Sequence, residues 1–263
     1  MSSHSDLYWD LVQSLIERGI ATLNEWYNRD PTEYMYFSRR NGPGFRPRQI
    51  MHDVTTHMGW QKTLYDYALL SDTVEHPLRN SVFHLFRDNG YDPVDVGRFL
   101  LSWCKGESAQ NTVWVRGDAQ SGARSLGEAL SYLGPLRGVA DCHDPYNPFY
   151  SCQSKLVIWW DNGYPRESNL DLCKQVFGGH HVIIPARRSW ELFRTPVVIY
   201  SREDICRVRG AGGVYQSDEC AGLRELMYSL NLHVPLPKDK EYISTHALRQ
   251  FLSWVNKRDN ENQ

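Results

Sequence analysis

The chain has 263 residues, of which 41% are hydrophobic, 23% charged and 13% aromatic, and its formal net charge is −2. This composition is too apolar for a disordered protein and too evenly charged for a polycationic nucleic-acid tail. No run of about 18 apolar residues is present and the N-terminus lacks a signal-peptide layout, so the sequence predicts a soluble intracellular protein without a membrane span. At roughly 150 residues per domain, one large domain or two small ones are expected.

The cysteines and histidines follow no metal-binding spacing. The six cysteines are spread along the chain without a C-x-x-C pair, which favours reduced and mostly buried thiols over zinc ligands or a disulfide framework. Residues 141–144, with the sequence DCHD, place four potential ligands in a row. Adjacent loop residues seldom converge on one metal, so we interpret this segment as a turn with local hydrogen bonds.

The N-terminal part, up to about residue 105, is predicted to be helical. Apolar residues at helical spacing indicate a first helix that Gly19 ends. We expect Asn24 to cap a short second helix and Asp30-Pro31 to begin a third. Residues 39–48 contain four arginines among glycines and prolines, and predict either a solvated loop or a phosphate-contacting loop. Further helices are predicted near residues 48–70, 77–88 and 93–104.

After residue 110 the sequence changes to apolar, β-rich runs separated by helical stretches. The runs are continuous rather than alternating, which is typical of central parallel strands that are covered on both faces. Strands that alternate with helices indicate an α/β domain with a mainly parallel sheet. A C-terminal helix with Ser244 or Thr245 as its cap closes the chain. The predicted strands are residues 112–115, 155–160, 181–184 and 196–200.

The first predicted strand leads into a glycine-containing loop and then a helix over residues 126–132. Gly117 and Gly122 keep the G-x-x-x-x-G spacing of a phosphate-binding loop, in which backbone N–H groups at a helix N-terminus hold the anion. The next two positions of that motif are Lys and Ser or Thr, but here they are Ala123 and Arg124. The fragment alone fits either a nucleotide loop or an ordinary strand–turn–helix corner.

A second apolar strand ends in an acidic residue, Asp161, after the sequence LVIWW. A carboxylate at the carboxyl end of a parallel strand can reach a metal beside the phosphate loop, as in a Walker B motif. A buried strand followed by an Asp-Asn-Gly turn is the alternative interpretation. The pair of signals favours a nucleotide-binding ancestry.

These ordered segments resemble the helicase domain of parvovirus Rep, the large non-structural protein of the superfamily 3 helicases, from about Leu7 to Arg258. The resemblance implies an α/β fold: an N-terminal helical bundle of the oligomerisation type over residues 1–108, then an AAA+-like P-loop NTPase core with a parallel sheet over residues 109–263. It further implies a stand-alone homologue without the nicking domain of Rep, as in avian adenoviruses, acting in the host nucleus. The matching segments are residues 7–26, 89–93, 99–103, 111–130, 156–163, 177–179, 195–199 and 223–232.

The resemblance also implies a degenerate nucleotide site. Ala123 stands where the family has its Lys, and Arg124 stands where it has its Thr. Asp161 retains the first Walker B acid and would be the metal ligand if Mg²⁺ is bound, whereas Asn162 replaces the second acid. The degenerate phosphate loop comprises Gly117, Ser121, Gly122, Ala123, Arg124 and Ser125.

Three further family positions carry other residues in this chain. Arg202 stands where the family's sensor Asn would follow its strand, and Leu226 aligns with the arginine finger. Arg224, two positions away, could replace the finger only if the local helix shifted. Near the hairpin with which the family contacts DNA, Arg187 and Arg188 are interpreted as DNA-phosphate contacts or as two solvated arginines.

These replacements predict at most vestigial ATPase activity, because an arginine finger alone contributes about 10³–10⁵ in rate. ATP and Mg²⁺ are cofactors only if the degenerate site still binds them. The leading hypothesis is a catalytically inactive DNA- or protein-binding factor in viral replication or its regulation, associating with itself or with an active viral helicase. A divergent but active DNA helicase, and a host-factor interaction protein on the same scaffold, are the alternatives.

Overall fold

The computed structural model describes residues 4–39, 43–69, 76–185, 189–210, 212–216, 221–237 and 242–261. The chain divides into two units between Lys62 and Thr63. The predicted boundary at residue 108 lies inside the second unit, and the assignment of residues 1–108 and 109–263 to separate functional domains stays a prediction. Among the described residues, no helix is both long and apolar enough to cross a membrane.

The first unit is helical, as predicted. The first helix buries one apolar face, formed by Leu11, Val12, Leu15 and Ile16. Its end is the predicted one, because Gly19 adopts the left-handed conformation with φ of 65° and donates its N–H to the carbonyl of Ile16. The helices among its described residues are α1 (His4–Glu17), α2 (Leu23–Arg29), α3 (Pro31–Ser38) and α4 (Pro47–Gln61).

Helix α2 begins with a capping box that the sequence interpretation missed. The hydroxyl of Thr22 accepts the N–H of Glu25 at 3.2 Å, and the Glu25 carboxylate accepts the N–H of Thr22 at 3.0 Å. The prediction of Asn24 as the cap is therefore wrong, because the reciprocal pair fixes the helix start two residues earlier. Asp30 caps α3 as predicted, accepting the N–H of Glu33 at 2.8 Å.

We expect Thr22→Ala to lower the free energy of unfolding of this unit by about 1 kcal/mol, since it leaves the N–H of Glu25 without its acceptor. Asn24→Ala is the matched control. Asn24 is exposed, so its replacement should change the stability by less than about 0.5 kcal/mol. Urea denaturation followed by circular dichroism measures both variants, and equal losses would contradict the assignment of the cap.

The second unit begins with three helices, α5 (Tyr65–Ala68), α6 (Ser81–Asp88) and α7 (Pro93–Lys105). The predicted helix over 48–70 is wrong in its length, because α4 ends at Gln61 and a new turn starts at Thr63. The Asp66 carboxylate accepts two hydrogen bonds from Thr63, one from its N–H at 2.6 Å and one from its hydroxyl at 2.8 Å. These bonds begin the new turn. The later predictions near 77–88 and 93–104 are confirmed in substance, with a 3₁₀ turn over Pro77–Arg79 before α6.

A five-stranded, wholly parallel sheet forms the centre of this unit. Its strands are β1 (Thr112–Gly117), β2 (Arg137–Val139), β3 (Val157–Trp160), β6 (Val197–Ser201) and β9 (Met227–Leu232). Their order across the sheet is β2-β3-β6-β1-β9. Every residue of β3 and β6 is buried, as their continuous apolar runs predict. The predicted fold class is confirmed.

Apolar clusters cover both faces of the sheet. One cluster joins Val113, Val198 and Leu230 to α6, α7 and two further helices, α8 (Ala123–Ser131) and α11 (Thr245–Glu261). The other joins Trp114 and Ile199 to α9 (Leu170–Gly178) and its neighbours. A short helix, α10 (Ala221–Glu225), precedes β9.

The prediction of residues 181–184 as a central parallel strand is wrong. Strand β4 (Val182–Ile184) pairs antiparallel with β5 (Trp190–Leu192) in a separate hairpin. Val182 and Ile184 are buried while Ile183 is exposed, so this short apolar run is half-buried rather than covered on both faces. A second hairpin is formed by β7 (Arg207–Gly210) and β8 (Gly213–Gln216).

Candidate nucleotide site

The predicted phosphate loop, Walker B residue and sensor position lie at one edge of the parallel sheet. β6 lies between β1 and β3, so the carboxyl ends of these three strands are neighbours. The glycine loop follows β1, Asp161 follows β3, and Arg202 follows β6. Ligands of open α/β sheets bind outside this edge, which makes it the candidate site.

Packing explains one glycine of the loop, and backbone conformation explains the other. A Cβ on Gly117 would lie 2.2 Å from the Ser121 hydroxyl and 2.5 Å from the carbonyl oxygen of Leu232 on β9. Gly122 is the cap residue of α8 and has φ of 77°, a conformation that L side chains rarely adopt. Helix α8 therefore begins at Ala123, three residues before the predicted start.

The chain's own groups occupy several N–H donors of the loop. The Asp118 carboxylate accepts the N–H groups of Gln120 and Ser121, both at 3.0 Å. The Ser121 hydroxyl accepts the N–H of Ala123 at 3.3 Å and donates to the Asp118 carbonyl at 3.0 Å. Leu236, from the segment after β9, donates its N–H to the carbonyl of Gln120 at 2.9 Å.

Arg124 and Asp161 form a bidentate ion pair across the site. The Arg124 Nη2 lies 2.6 Å from Asp161 Oδ2, and its Nε lies 3.1 Å from Oδ1 and 3.2 Å from Oδ2. These hydrogen bonds, and then the attraction of the Asp161 charge, raise the pKa of Arg124 above its ordinary value. The two side chains are 62% and 34% exposed, so the pair adds little stability. Its consequence is chemical, because the guanidinium lies against the carboxylate that the sequence predicts as a metal ligand.

Asn162 and Arg202 line a cavity of about 270 Å³ beside the ion pair. The backbone at Asn162 is left-handed, with φ of 50°, and the following Gly163 donates its N–H to the carbonyl of Tyr200 at 3.0 Å. The hydroxyl of Ser201 accepts the indole N–H of Trp114 at 2.8 Å, which ties the end of β6 to β1. The lining residues are Asn162, Gly163, Tyr164, Ser201, Arg202, Glu203, Asp204 and Arg207.

Leu226 and Arg224 differ in their surroundings. Leu226 directly precedes β9, whose amino end pairs with that of β1, so it does not lie at the edge that holds the phosphate loop. Leu226 packs, partly buried, against the apolar cluster that contains α9. Arg224 forms an ion pair with Asp204, whose carboxylate also lies 4.0 Å from Arg116. Burial opposes ionisation of Asp204, but the N–H of Cys206 and the Arg224 charge outweigh it, so the pKa of Asp204 is lowered. Arg224 is thus held within its own chain.

Two other sequence interpretations have different outcomes. Residues 141–144 form the predicted turn, in which the Asp141 carboxylate accepts the N–H of His143 at 2.8 Å. Within the described segments, no group of three or more His, Cys, Asp or Glu residues is arranged to hold a metal ion. Arg187 and Arg188 lie outside the described residues, so their assignment to DNA contacts stays a prediction.

A comparison with known protein families identifies the family to which the chain belongs. The family model described as "Parvovirus non-structural protein NS1" matches residues 1–263. The chain belongs to the parvovirus NS1 family. The family resemblance expected from the sequence is confirmed.

Individual relatives of this NS1-family chain differ in length. An uncharacterised ORF2 protein of Fowl adenovirus A serotype 1 is 40% identical over 97% of this chain and 95% of its own length. Protein Rep52 of adeno-associated virus 2 is 25% identical over 94% of the chain and 62% of its own length. Initiator protein NS1 of human parvovirus B19 is 25% identical over 94% of the chain, which spans only 37% of that protein. The match to the X-ray structure of JCV helicase covers 99% of the present chain and 89% of the helicase chain, with 10% identity and a TM-score of 0.48.

Sequence reasoning missed two residues of the site, Asp118 and Leu236. An Asp two residues before a turn is a known acceptor for the following N–H groups, so the signal for Asp118 was present in the sequence. Leu236 lies over 100 positions from the loop, and no local pattern connects it to Gly122. Its contact follows from the pairing of β9 with β1.

Proposed function

We propose that this chain is a non-hydrolysing member of the NS1 family, which acts by binding in viral DNA replication or its regulation. The observation that carries the proposal is the Arg124–Asp161 ion pair. In P-loop NTPases, a Ser or Thr hydroxyl at the position of Arg124 and a Walker B Asp hold Mg²⁺ together. Here a guanidinium takes the place of the metal against the carboxylate and removes the hydroxyl ligand.

Other replacements reduce the expected chemistry further. Ala123 carries no charge for the β- and γ-phosphates, and Asn162 can orient a water molecule but cannot accept its proton. Leu226 is packed where a finger would contribute about 10³–10⁵ in rate. Such losses are not additive, but the absence of several members of one catalytic unit removes useful turnover. The site is in this sense degenerate.

The retained scaffold supports a role in assembly. The site lacks the phosphate-binding Lys and the hydroxyl ligand of Mg²⁺. Around it, the parallel sheet keeps apolar clusters on both faces and close packing at Gly117. The chain therefore binds to other copies of itself or to subunits of an active viral helicase, in the host nucleus. Contacts of Arg187 and Arg188 with DNA phosphates, and capture of host factors, are further roles that this scaffold permits.

We expect the purified full chain to hydrolyse ATP with Mg²⁺ at the rate of a protein-free control, with or without single-stranded DNA. Calorimetry should show no Mg²⁺-dependent ATP binding, because Arg124 already neutralises Asp161. Oligomeric mass, measured by light scattering, should be the same with and without Mg–ATP. DNA-stimulated hydrolysis that Asp161→Ala abolishes, and that the exposed control Asp171→Ala leaves intact, would instead establish an active helicase.

A further inference from the structure

We propose that the phosphate loop is closed by the chain itself, with the Asp118 carboxylate serving as an internal anion and Leu236 as a cover. Asp118 then excludes phosphate independently of the missing Lys. This inference rests on the proposed function, since a chain that turns over Mg–ATP must open the same loop.

The hydrogen bonds of Asp118 provide the first support. A phosphate-binding loop holds its anion through N–H groups that have no partner in the chain. Here the carboxylate takes the N–H groups of Gln120 and Ser121, and the Ser121 hydroxyl takes that of Ala123. An incoming phosphate would have to displace a charged acceptor and meet its negative charge at short range.

The segment of residues 233–237 provides independent support from another part of the chain. The Leu236 side chain lies against Gly122, where a Cβ would come within 2.6 Å of its Cδ1, and it also packs on the apolar cluster that contains α8. The side-chain oxygen Oδ1 of Asn89 anchors the start of this segment by accepting the N–H groups of His233 at 2.8 Å and Val234 at 3.0 Å. The cover is thus held at the loop and at helix α6.

Restoring the motif residues alone should therefore not restore nucleotide binding. Ala123→Lys/Arg124→Thr recreates the Lys-Thr pair and frees Asp161, but leaves the Asp118 carboxylate on the loop N–H groups. We expect this double variant to bind Mg–ATP no better than the unmodified chain. Adding Asp118→Ala should tighten binding at least about tenfold, which corresponds to one charge-assisted hydrogen bond.

A second measurement examines the loop without the motif changes. Amide hydrogen exchange at Gln120 and Ser121 should be slow in the unmodified chain and fast in Asp118→Ala. Asp118→Asn is the matched control, because its side-chain oxygen can accept the same two N–H groups and should preserve their protection.

Isothermal titration with Mg–ATP compares the double and triple variants, after thermal unfolding has verified that each is folded. The inference is overturned if the triple variant binds no tighter than the double variant, or if the double variant already binds as tightly. It is equally overturned if Asp118→Ala leaves the two amides protected. Failure of the proposed function can be distinguished from failure of this inference, because only the former would appear as ATP turnover by the unmodified chain.

Discussion

Replacing Asn111 with alanine is expected to lower the free energy of unfolding of the second unit by about 2–4 kcal/mol. Asn111 is buried immediately before β1, and its amide donates to the carbonyls of Val176 at 3.1 Å and Thr195 at 2.9 Å. One side chain therefore joins the end of α9 to the residue that leads into β6. Alanine would leave a small cavity and remove a donor from two buried acceptors, of which the Val176 carbonyl still accepts the N–H of Gly179 at 3.1 Å.

Guanidinium denaturation measures this loss, and Asn260→Ala, at an exposed position near the end of α11, is the control within the same unit. The control should change the stability by less than about 0.5 kcal/mol. Asn111→Asp keeps the shape but sets a carboxylate against two carbonyls, so it should be less stable than Asn111→Ala at neutral pH. A loss below about 1 kcal/mol for Asn111→Ala would show that water or repacking satisfies the Thr195 carbonyl.

The strands that the sequence predicts well are those whose burial is continuous. β1, β3 and β6 are central, so each apolar run signals a strand covered on both faces. β9 was missed because the sequence MYSLNL, at an edge of the sheet, is interrupted by Ser229 and Asn231 and contains no such run. β4 was misassigned for the opposite reason, since three apolar residues in a row occur there in a hairpin strand with one exposed face.

The site was predictable in its parts but not in its contacts. Sequence spacing identified Arg124 and Asp161 separately. The family position of Arg124 indicated a lost hydroxyl ligand, whereas that of Asp161 indicated a retained acid. Their pairing depends on helix α8 packing against both β6 and β3, which brings its first turn to the end of the third strand. That arrangement is a property of the strand order, which no local pattern in the sequence specifies.

Gly117→Ala is expected to lower the free energy of unfolding by about 1–3 kcal/mol, the range for overpacking a well-filled interior. The added methyl would meet the Ser121 hydroxyl at 2.2 Å, and the carbonyl oxygen of Leu232, a backbone atom that cannot rotate away, at 2.5 Å. Gly212→Ala, where an added Cβ meets no atom within 4 Å, should change the stability by less than about 0.5 kcal/mol.

Thermal and denaturant unfolding of both glycine variants, in the absence of any nucleotide, distinguishes two reasons for the G-x-x-x-x-G spacing. If phosphate binding alone required Gly117, its replacement would not affect the stability of a nucleotide-free chain. A loss in the expected range would instead show that β9 and the loop need the glycine for their own packing. Packing can then preserve the motif's glycines even where Ala123 and Arg124 have replaced the residues that bind phosphate and Mg²⁺.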